Sequence, residues 1–374
     1  MLKKNVLINA SNLHLGGGVQ VAISFINELS RIKSETIEFH VVCSTEVNKA
    51  LVKAGTDTSK FSSYQVYDVY GFGASSIKFS RLFSGFDAIF TVFGPDYRLG
   101  SQKNTLVGFA QPWIVYPDNE VFLSLSLLSK LKIKLKLLVQ IFFYKKAGML
   151  VVELPHVKQG VVNRSIANKD RIKVVHNSVS SLYFQPGCWE DVGVEPSKDA
   201  FNLGFVGRDY SHKNLKILPE VKAILSRDYS LDVRFFVTLS QKEWAVKSPL
   251  FKSSVSTVGE LSVAQCPVFY QKMDGVIFPS LLECFSATPL EAMAMERPLF
   301  ASDRGFVRDV CEDYAYYFDP LSPASAAAVI ANYINNIKGF DGERLKEASA
   351  YARSFSSAKG RAEGYVRILE QMVI

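Results

Sequence analysis

Gly275-Val-Ile-Phe-Pro-Ser-Leu-Leu-Glu283-Cys-Phe-Ser-Ala-Thr-Pro-Leu-Glu291-Ala-Met-Ala294 passes from an apolar run through a polar turn to a helical pattern. The apolar run, Gly275 to Phe278, stops at Pro279 and Ser280, and helical spacing begins at about Pro289, which reads as strand, turn and helix. Glu283 and Glu291 stand eight residues apart, one in the turn and one in the first helical turn, where they can face one pocket from two sides. A helix N-terminus carries unpaired N–H groups and partial positive charge, so the turn from Phe285 to Thr288 is a seat for a phosphate. Carboxylates beside such a seat suit sugar hydroxyls, because an ionised Glu offers only acceptors and a hydroxyl offers a donor. Taken alone, the same two acids also fit a solvated loop charge and a helix-dipole partner. The flanking sequence decides between the two readings.

Outward from this stretch come Val258-Gly-Glu-Leu-Ser262, Val268-Phe-Tyr-Gln-Lys-Met-Asp-Gly-Val-Ile-Phe-Pro-Ser280, Arg297-Pro-Leu-Phe-Ala-Ser-Asp303 and Tyr317-Phe-Asp-Pro320. In order and spacing, the four segments with the two acids resemble retaining glycosyltransferases of the GT-B architecture, especially glycosyltransferase family 4. The resemblance implies an α/β chain with a GT-B fold, two Rossmann-like β/α/β domains facing a central cleft. It also implies transfer of a sugar from a nucleotide diphosphate sugar to a hydroxyl with retention of anomeric configuration. Glu283 then binds donor sugar hydroxyls and Glu291 the nucleotide ribose, with Phe285, Ser286 and Ala287 offering the loop to the phosphates.

Near the middle of the chain, Phe201-Asn-Leu-Gly-Phe-Val-Gly-Arg208-Asp-Tyr-Ser-His-Lys213-Asn-Leu215 reads as a strand, a turn and a helix from about Asn214. Two cations at the end of a strand neutralise charge that gathers on a leaving diphosphate, so Arg208 and Lys213 are candidate electrophilic catalysts. The family's donor-phosphate pair falls on these two residues. The chain contains no Asp-x-Asp, so no metal is expected, and no cofactor beyond the nucleotide sugar as co-substrate. The predicted catalytic set is therefore Glu283, Arg208 and Lys213.

The first half reads as strands Asn5–Ala10, Phe39–Cys43, Ala88–Val92, Thr105–Ala110 and Met149–Glu153 alternating with helical or polar stretches, which argues for a parallel sheet covered on both faces. Ser11-Asn-Leu-His-Leu-Gly16-Gly17-Gly18 is a glycine-rich strand-to-helix turn that lets backbone amides approach a ligand. The dinucleotide fingerprint fails, because position 21 is valine and no acid closes a second strand about twenty residues on. By resemblance Gly16, Gly17 and Gly18 face the acceptor, as does Gln111, which stands where many relatives carry a histidine. Gln111 hydrogen-bonds but cannot serve as a base. The chain departs again at Glu283-Cys-Phe-Ser-Ala287, where relatives read Glu-Gly-Phe-Gly. Its loop must follow a path open to residues with a β-carbon.

At 374 residues, 48% apolar, the chain suits two domains. The expected division is 1–180, a linker at 181–200 rich in Pro and Gly, 201–354, and a helix over 355–374 crossing back to the first domain. Five scattered cysteines without a C-x-x-C pair indicate neither a disulfide framework nor a zinc site, which points to a reducing cytoplasm. The net charge of +7 is concentrated in part over residues 121–150, which hold six lysines and no acid among Leu, Ile and Phe. Lys130, Lys132, Lys134 and Lys136 forbid a membrane span there. The segment reads as a helix whose lysines fall on no single face, a cationic surface for anionic phospholipid over 121–146 or an ordinary solvated helix. With the resemblance, it suggests a lipid-linked glycan acceptor in bacterial surface polysaccharide synthesis, met from the cytoplasmic face of the inner membrane. The lysines lack interleaved aromatics, which speaks against nucleic acid. A catalytically silent GT-B subunit acting as partner or scaffold is the other reading, supported by the lost glycines and histidine. A nicotinamide-dependent Rossmann oxidoreductase is a second rival, and the failed fingerprint speaks against it.

Overall fold

The computed structural model describes residues 2–98 and 102–373, apart from the side chains of Phe72 and Lys78. It divides into two compact units. The first takes the described residues up to Pro117, then Leu125–Asn177, then those from Ala358 on; the second takes Asp118–Ser124 and Ser178–Ser357.

The first unit holds β1 (Lys4–Ala10), β2 (Ile37–Cys43), β3 (Ser63–Val66), β4 (Ala88–Thr91), β5 (Thr105–Gly108), β6 (Met149–Val152) and β7 (Ile172–Val174). They form one sheet in the order β3-β2-β1-β4-β5-β6-β7, with every pair parallel. Parallel neighbours need crossovers, and helices lying on both faces bury the strands, so inner strands such as β4 and β5 are buried along their whole length. Helix Gly17–Leu29 packs Phe25 against Phe90 of β4 and against Tyr365 of the last helix, Ala358–Val373, at ring separations of 5.5 and 5.1 Å. Phe25 and Phe90 are both fully buried, which contributes about 2 kcal/mol each.

In the second unit β8 (Phe201–Phe205), β9 (Val233–Val237), β10 (Val255–Thr257), β11 (Gly275–Phe278), β12 (Leu299–Ser302) and β13 (Tyr316–Phe318) follow the order β10-β9-β8-β11-β12-β13, again all parallel. Both sheets therefore reverse their direction of winding beside their first strand. The reversal lies between β1 and β4 in one and between β8 and β11 in the other. In open α/β sheets, ligands seat outside the carboxyl ends of the strands at such a reversal.

Two stretches differ from the expected layout. Residues 118–124, inside what reads as the first domain, group with the second unit, where Arg304 donates to Glu120 at 2.6 Å. The 181–200 stretch lies against the second unit: Tyr183, Val192 and Val194 are buried, and the two valines pack with Phe236, Phe269 and Met273. Composition alone makes such a stretch look like a tether, because one buried side chain every few residues leaves no apolar period.

Candidate functional site

The carboxyl ends of β8 and β11 carry the predicted donor residues. Beyond β8 the chain turns through Gly207, whose φ of +151° and N–H bond to Thr238 Oγ1 at 3.0 Å shape the loop. It then makes a short turn over Ser211–Lys213 that ends at Asn214 in the left-handed region, anchored by Asn214 Nδ2 on the carbonyl of Pro320 at 2.8 Å. Beyond β11, Leu281 N–H donates to the carbonyl of His212 at 2.7 Å, and Ser302 Oγ donates to the Ser280 carbonyl at 2.6 Å. The two loops are therefore stitched together by backbone, which fixes the side chains they carry.

Lys213 and Glu283 meet in that stitch. Lys213 Nζ donates to Glu283 Oε1 at 2.7 Å, both side chains are nearly buried, and the ammonium lies 5.3 Å from the centre of the Phe278 ring. An ammonium has three donors and this bond uses one of them, so the same group can also reach an anion. Burial holds the His212 pKa below its usual value against the opposing pull of Glu283, so its ring is a neutral neighbour stacked on Tyr210.

Glu291 sits in the first turn of helix Thr288–Ala294, as the spacing predicts. Its Oε2 accepts from the Tyr270 hydroxyl at 2.9 Å, and the Tyr183 side chain stands close enough to act on its charge. Burial raises its pKa, while the two tyrosines and the Lys213 charge pull the other way. Lys213 thus acts on both acids, directly on Glu283 and through space on Glu291. Phe285, Ser286 and Ala287 lie between them, partly exposed, and none has positive φ. That is the path expected of a loop that has lost its glycines.

Arg208 goes elsewhere. It is half exposed, and its guanidinium donates to Glu243 and Glu260, each at 2.9 Å, rather than standing with Lys213. Glu243 also caps helix Gln241–Ala245 in a reciprocal box with Ser240 and accepts from Asp209 N–H. Burial opposes these bonds, yet Ser240, Asp209 and Arg208 together bring the Glu243 carboxyl down to about 2.

In the first unit Gly16, Gly17 and Gly18 lie at the carboxyl end of β1, with Gly16 at φ +75° as the cap of helix Gly17–Leu29. A β-carbon at Gly16 or Gly17 meets nothing within 4 Å, so the loop is open there. Gln111, beyond the carboxyl end of β5, donates from Nε2 to Gln140 Oε1 at 3.1 Å. Sequence reasoning missed Tyr183, Tyr270 and Glu243. The Ser240-x-x-Glu243 pattern is readable as a capping box, while nothing local marks Tyr183 as a partner of Glu291. Among the described residues, no group of three or more His, Cys, Asp or Glu side chains is placed to hold a metal ion.

Two doubly wound parallel sheets, each with its candidate residues at a reversal point, define the GT-B class of architecture. Solved structures agree. A glycosyltransferase from Rickettsia africae aligns over 99% of this chain and 99% of its own at TM-score 0.70 and 15% identity. HepE of Anabaena, solved with UDP and glucose, aligns over 98% and 100% at 0.68 and 14%. Likeness at such identities speaks for the fold. At the level of sequence, residues 200–336 match the family model described as glycosyl transferases group 1. The O-antigen chain mannosyltransferase RfbU of Salmonella typhimurium is 27% identical over 179 residues, 47% of this chain and 48% of that protein, so the match spans about half the length of each.

Proposed function

We propose that this chain is a retaining, metal-independent glycosyltransferase that moves a sugar from a nucleotide diphosphate sugar to a hydroxyl of a glycan acceptor. The observation that carries the proposal is the clustering of Lys213, Glu283 and Glu291 at the β8/β11 reversal, inside the segment that matches group 1 glycosyl transferases. Lys213 holds the diphosphate with its remaining N–H groups, and Arg208 joins it by exchanging Glu243 and Glu260 for phosphate oxygens. Glu283 accepts from sugar hydroxyls and Glu291 from the ribose, with Tyr270 and Tyr183 fixing its orientation. The bond from the anomeric carbon to the diphosphate oxygen breaks with its electrons on the phosphate. The acceptor oxygen bonds to that carbon on the same face, and its proton passes to the departing phosphate oxygen. Gly16, Gly17, Gly18 and Gln111 serve the acceptor side. The likeness to RfbU, an O-antigen chain mannosyltransferase, supports surface polysaccharide as the product; a lipid-linked acceptor met at the cytoplasmic face of the membrane is part of the same proposal.

The test is thermal-shift binding of UDP, GDP, ADP and dTDP to the parent chain and to Glu291→Ala. A ligand at a hundred times its Kd stabilises by about 2.7 kcal/mol. Stabilisation by one nucleotide, lost in the variant, supports the donor site and names the base. Anomeric analysis of the product by NMR then decides retention. No stabilisation by any nucleotide overturns the proposal in favour of a silent subunit.

A further inference from the structure

The loops that follow β1, β2 and β3 are tied to one another at the carboxyl edge of the first sheet. Tyr67 N–H donates to the carbonyl of Cys43, the last residue of β2, and Val69 N–H donates to the carbonyl of Ser11, just past β1, at 2.9 and 3.2 Å. Asp68, between them, accepts from both the N–H and the hydroxyl of Thr45. His14 Nε2 donates to the Val69 carbonyl at 2.9 Å, and its Nδ1 stands 3.5 Å from Asp68 Oδ1. These bonds carry residues 67–70 from the edge strand β3 across β2 to the loop of β1. Tyr70 is delivered by that path onto His14. The two rings stack at a centroid separation of 4.0 Å and an interplanar angle of 13°. The His14 side chain is 17% exposed, whereas Tyr70 is 68% exposed, so one face of the tyrosine is backed by imidazole and the other is open. Single exposed aromatic residues are common and carry no message. This one differs in being held: the two residues before it are bonded to the loops of β1 and β2, and its ring rests on a third anchored group. In the His14 loop Leu15 is 87% exposed, and Gly17 and Gly18 open helix Gly17–Leu29 without a side-chain cap on their N–H groups. Open ring, apolar side chain and amide donors thus lie at the carboxyl end of β1, the strand that borders the reversal.

We propose that Tyr70, backed by His14, is a stacking platform for a pyranose ring of the glycan acceptor. A sugar ring has a face of C–H groups, which packs on an aromatic face, and a rim of hydroxyl oxygens, which accept from backbone N–H groups such as those of Gly17 and Gly18. A ring already held in place loses little side-chain freedom on binding, so most of the contact appears as affinity. A nucleobase also stacks on tyrosine, yet the groups that suit a nucleotide donor, Lys213, Glu283 and Glu291, gather in the second unit. His14 is a positioning residue, acting on the sugar through Tyr70. The inference rests on the acceptor being a glycan and deepens that reading by naming the ring that meets it.

The experiment is saturation-transfer NMR on the full chain, irradiating aromatic protons, with the methyl glycosides of mannose, galactose, glucose, N-acetylglucosamine and rhamnose as probes. It compares the parent with Tyr70→Ala and Tyr70→Phe, and thermal-shift binding of UDP, GDP, ADP and dTDP is run on each. Tyr70 is exposed, and circular dichroism confirms that both variants fold. The expected result is saturation of the C–H protons of at least one glycoside, weakened about tenfold in Tyr70→Ala and kept in Tyr70→Phe, with nucleotide stabilisation equal in all three. His14→Ala should weaken the saturation, and His14→Phe, which restores a backing ring, should recover it. The platform is overturned if no glycoside is saturated in the parent or if the signal survives in Tyr70→Ala. A His14→Ala protein with the parent's signal overturns the backing role. Loss of nucleotide stabilisation in Tyr70→Ala also overturns the platform and assigns the ring to the donor base. If nucleotides fail to stabilise the parent while saturation depends on Tyr70, the donor reading falls and the platform stands.

Discussion

Removing one member of the Lys213–Glu283 pair should cost far more than removing both. The two side chains are 11 and 10% exposed and 2.7 Å apart, tied to strands that pair only in the folded second unit. Lys213→Met leaves a buried carboxylate without its ammonium, and Glu283→Leu leaves a buried ammonium facing an apolar side chain; each is expected to lose about 3 kcal/mol. The double variant Lys213→Met/Glu283→Leu has no buried charge left to desolvate, so its loss should stay within about 1 kcal/mol. The coupling between the sites is then about 5 kcal/mol in favour of the double variant. For a unit of this size, about 3 kcal/mol corresponds to a fall of roughly 6–12 °C in the melting temperature. Scanning calorimetry of the four proteins measures this, with the transition of the second unit as the readout. If each single variant loses less than about 1 kcal/mol and the losses simply add, the pair behaves as a solvated surface ion pair and the reasoning fails. The double variant, though stable, should bind no nucleotide diphosphate.

Other outcomes follow from single positions. Burial raises the Glu153 carboxyl from 4.5 to about 7, against the opposing Arg361 charge and the Asn177 hydrogen bond. Because the folded state holds that proton more tightly than the unfolded chain, the stability it contributes is complete below pH 4.5 and is lost as pH rises to about 7. Relative to Glu153→Gln, the parent should lose about 3 kcal/mol over that interval, and a parallel pH dependence of the two urea midpoints would refute the assignment. Tyr270→Phe removes one hydrogen bond to Glu291 and should cost about 1 kcal/mol of stability while weakening nucleotide binding, measured by calorimetric titration; unchanged binding would separate Glu291 from the ligand. Gly108→Ala sets a β-carbon 1.7 Å from the Val92 carbonyl oxygen, where backbone must move, so the first unit should fail to fold or melt far below the parent. A melting temperature near the parent's would show that β4 and β5 can part at that point.

The sequence by itself determined the class of fold. Short apolar runs such as Ala88–Thr91 and Gly275–Phe278, separated by helical stretches, can be satisfied only by buried parallel strands with crossovers, and that pattern is local. It also placed Glu291 in a first helical turn, and the β-carbons at Ser286 and Ala287 ruled out a glycine-like loop. Tertiary structure decided the partners. Lys213 meets Glu283 across seventy residues because β8 lies beside β11, and strand order is not written in either strand. The same holds for Arg208, which turns to Glu243 and Glu260, and for Tyr183, which reaches Glu291 from a stretch whose composition reads as linker. Periodicity reports which face of an element is apolar, whereas the choice of contact depends on which element stands opposite. Helix Leu127–Lys146 shows the difference most plainly: Phe143 and Tyr144 are buried while Leu131, Leu135 and Leu138 stay exposed, and these two apolar faces cancel in the sequence pattern, so that only packing of one of them reveals the other.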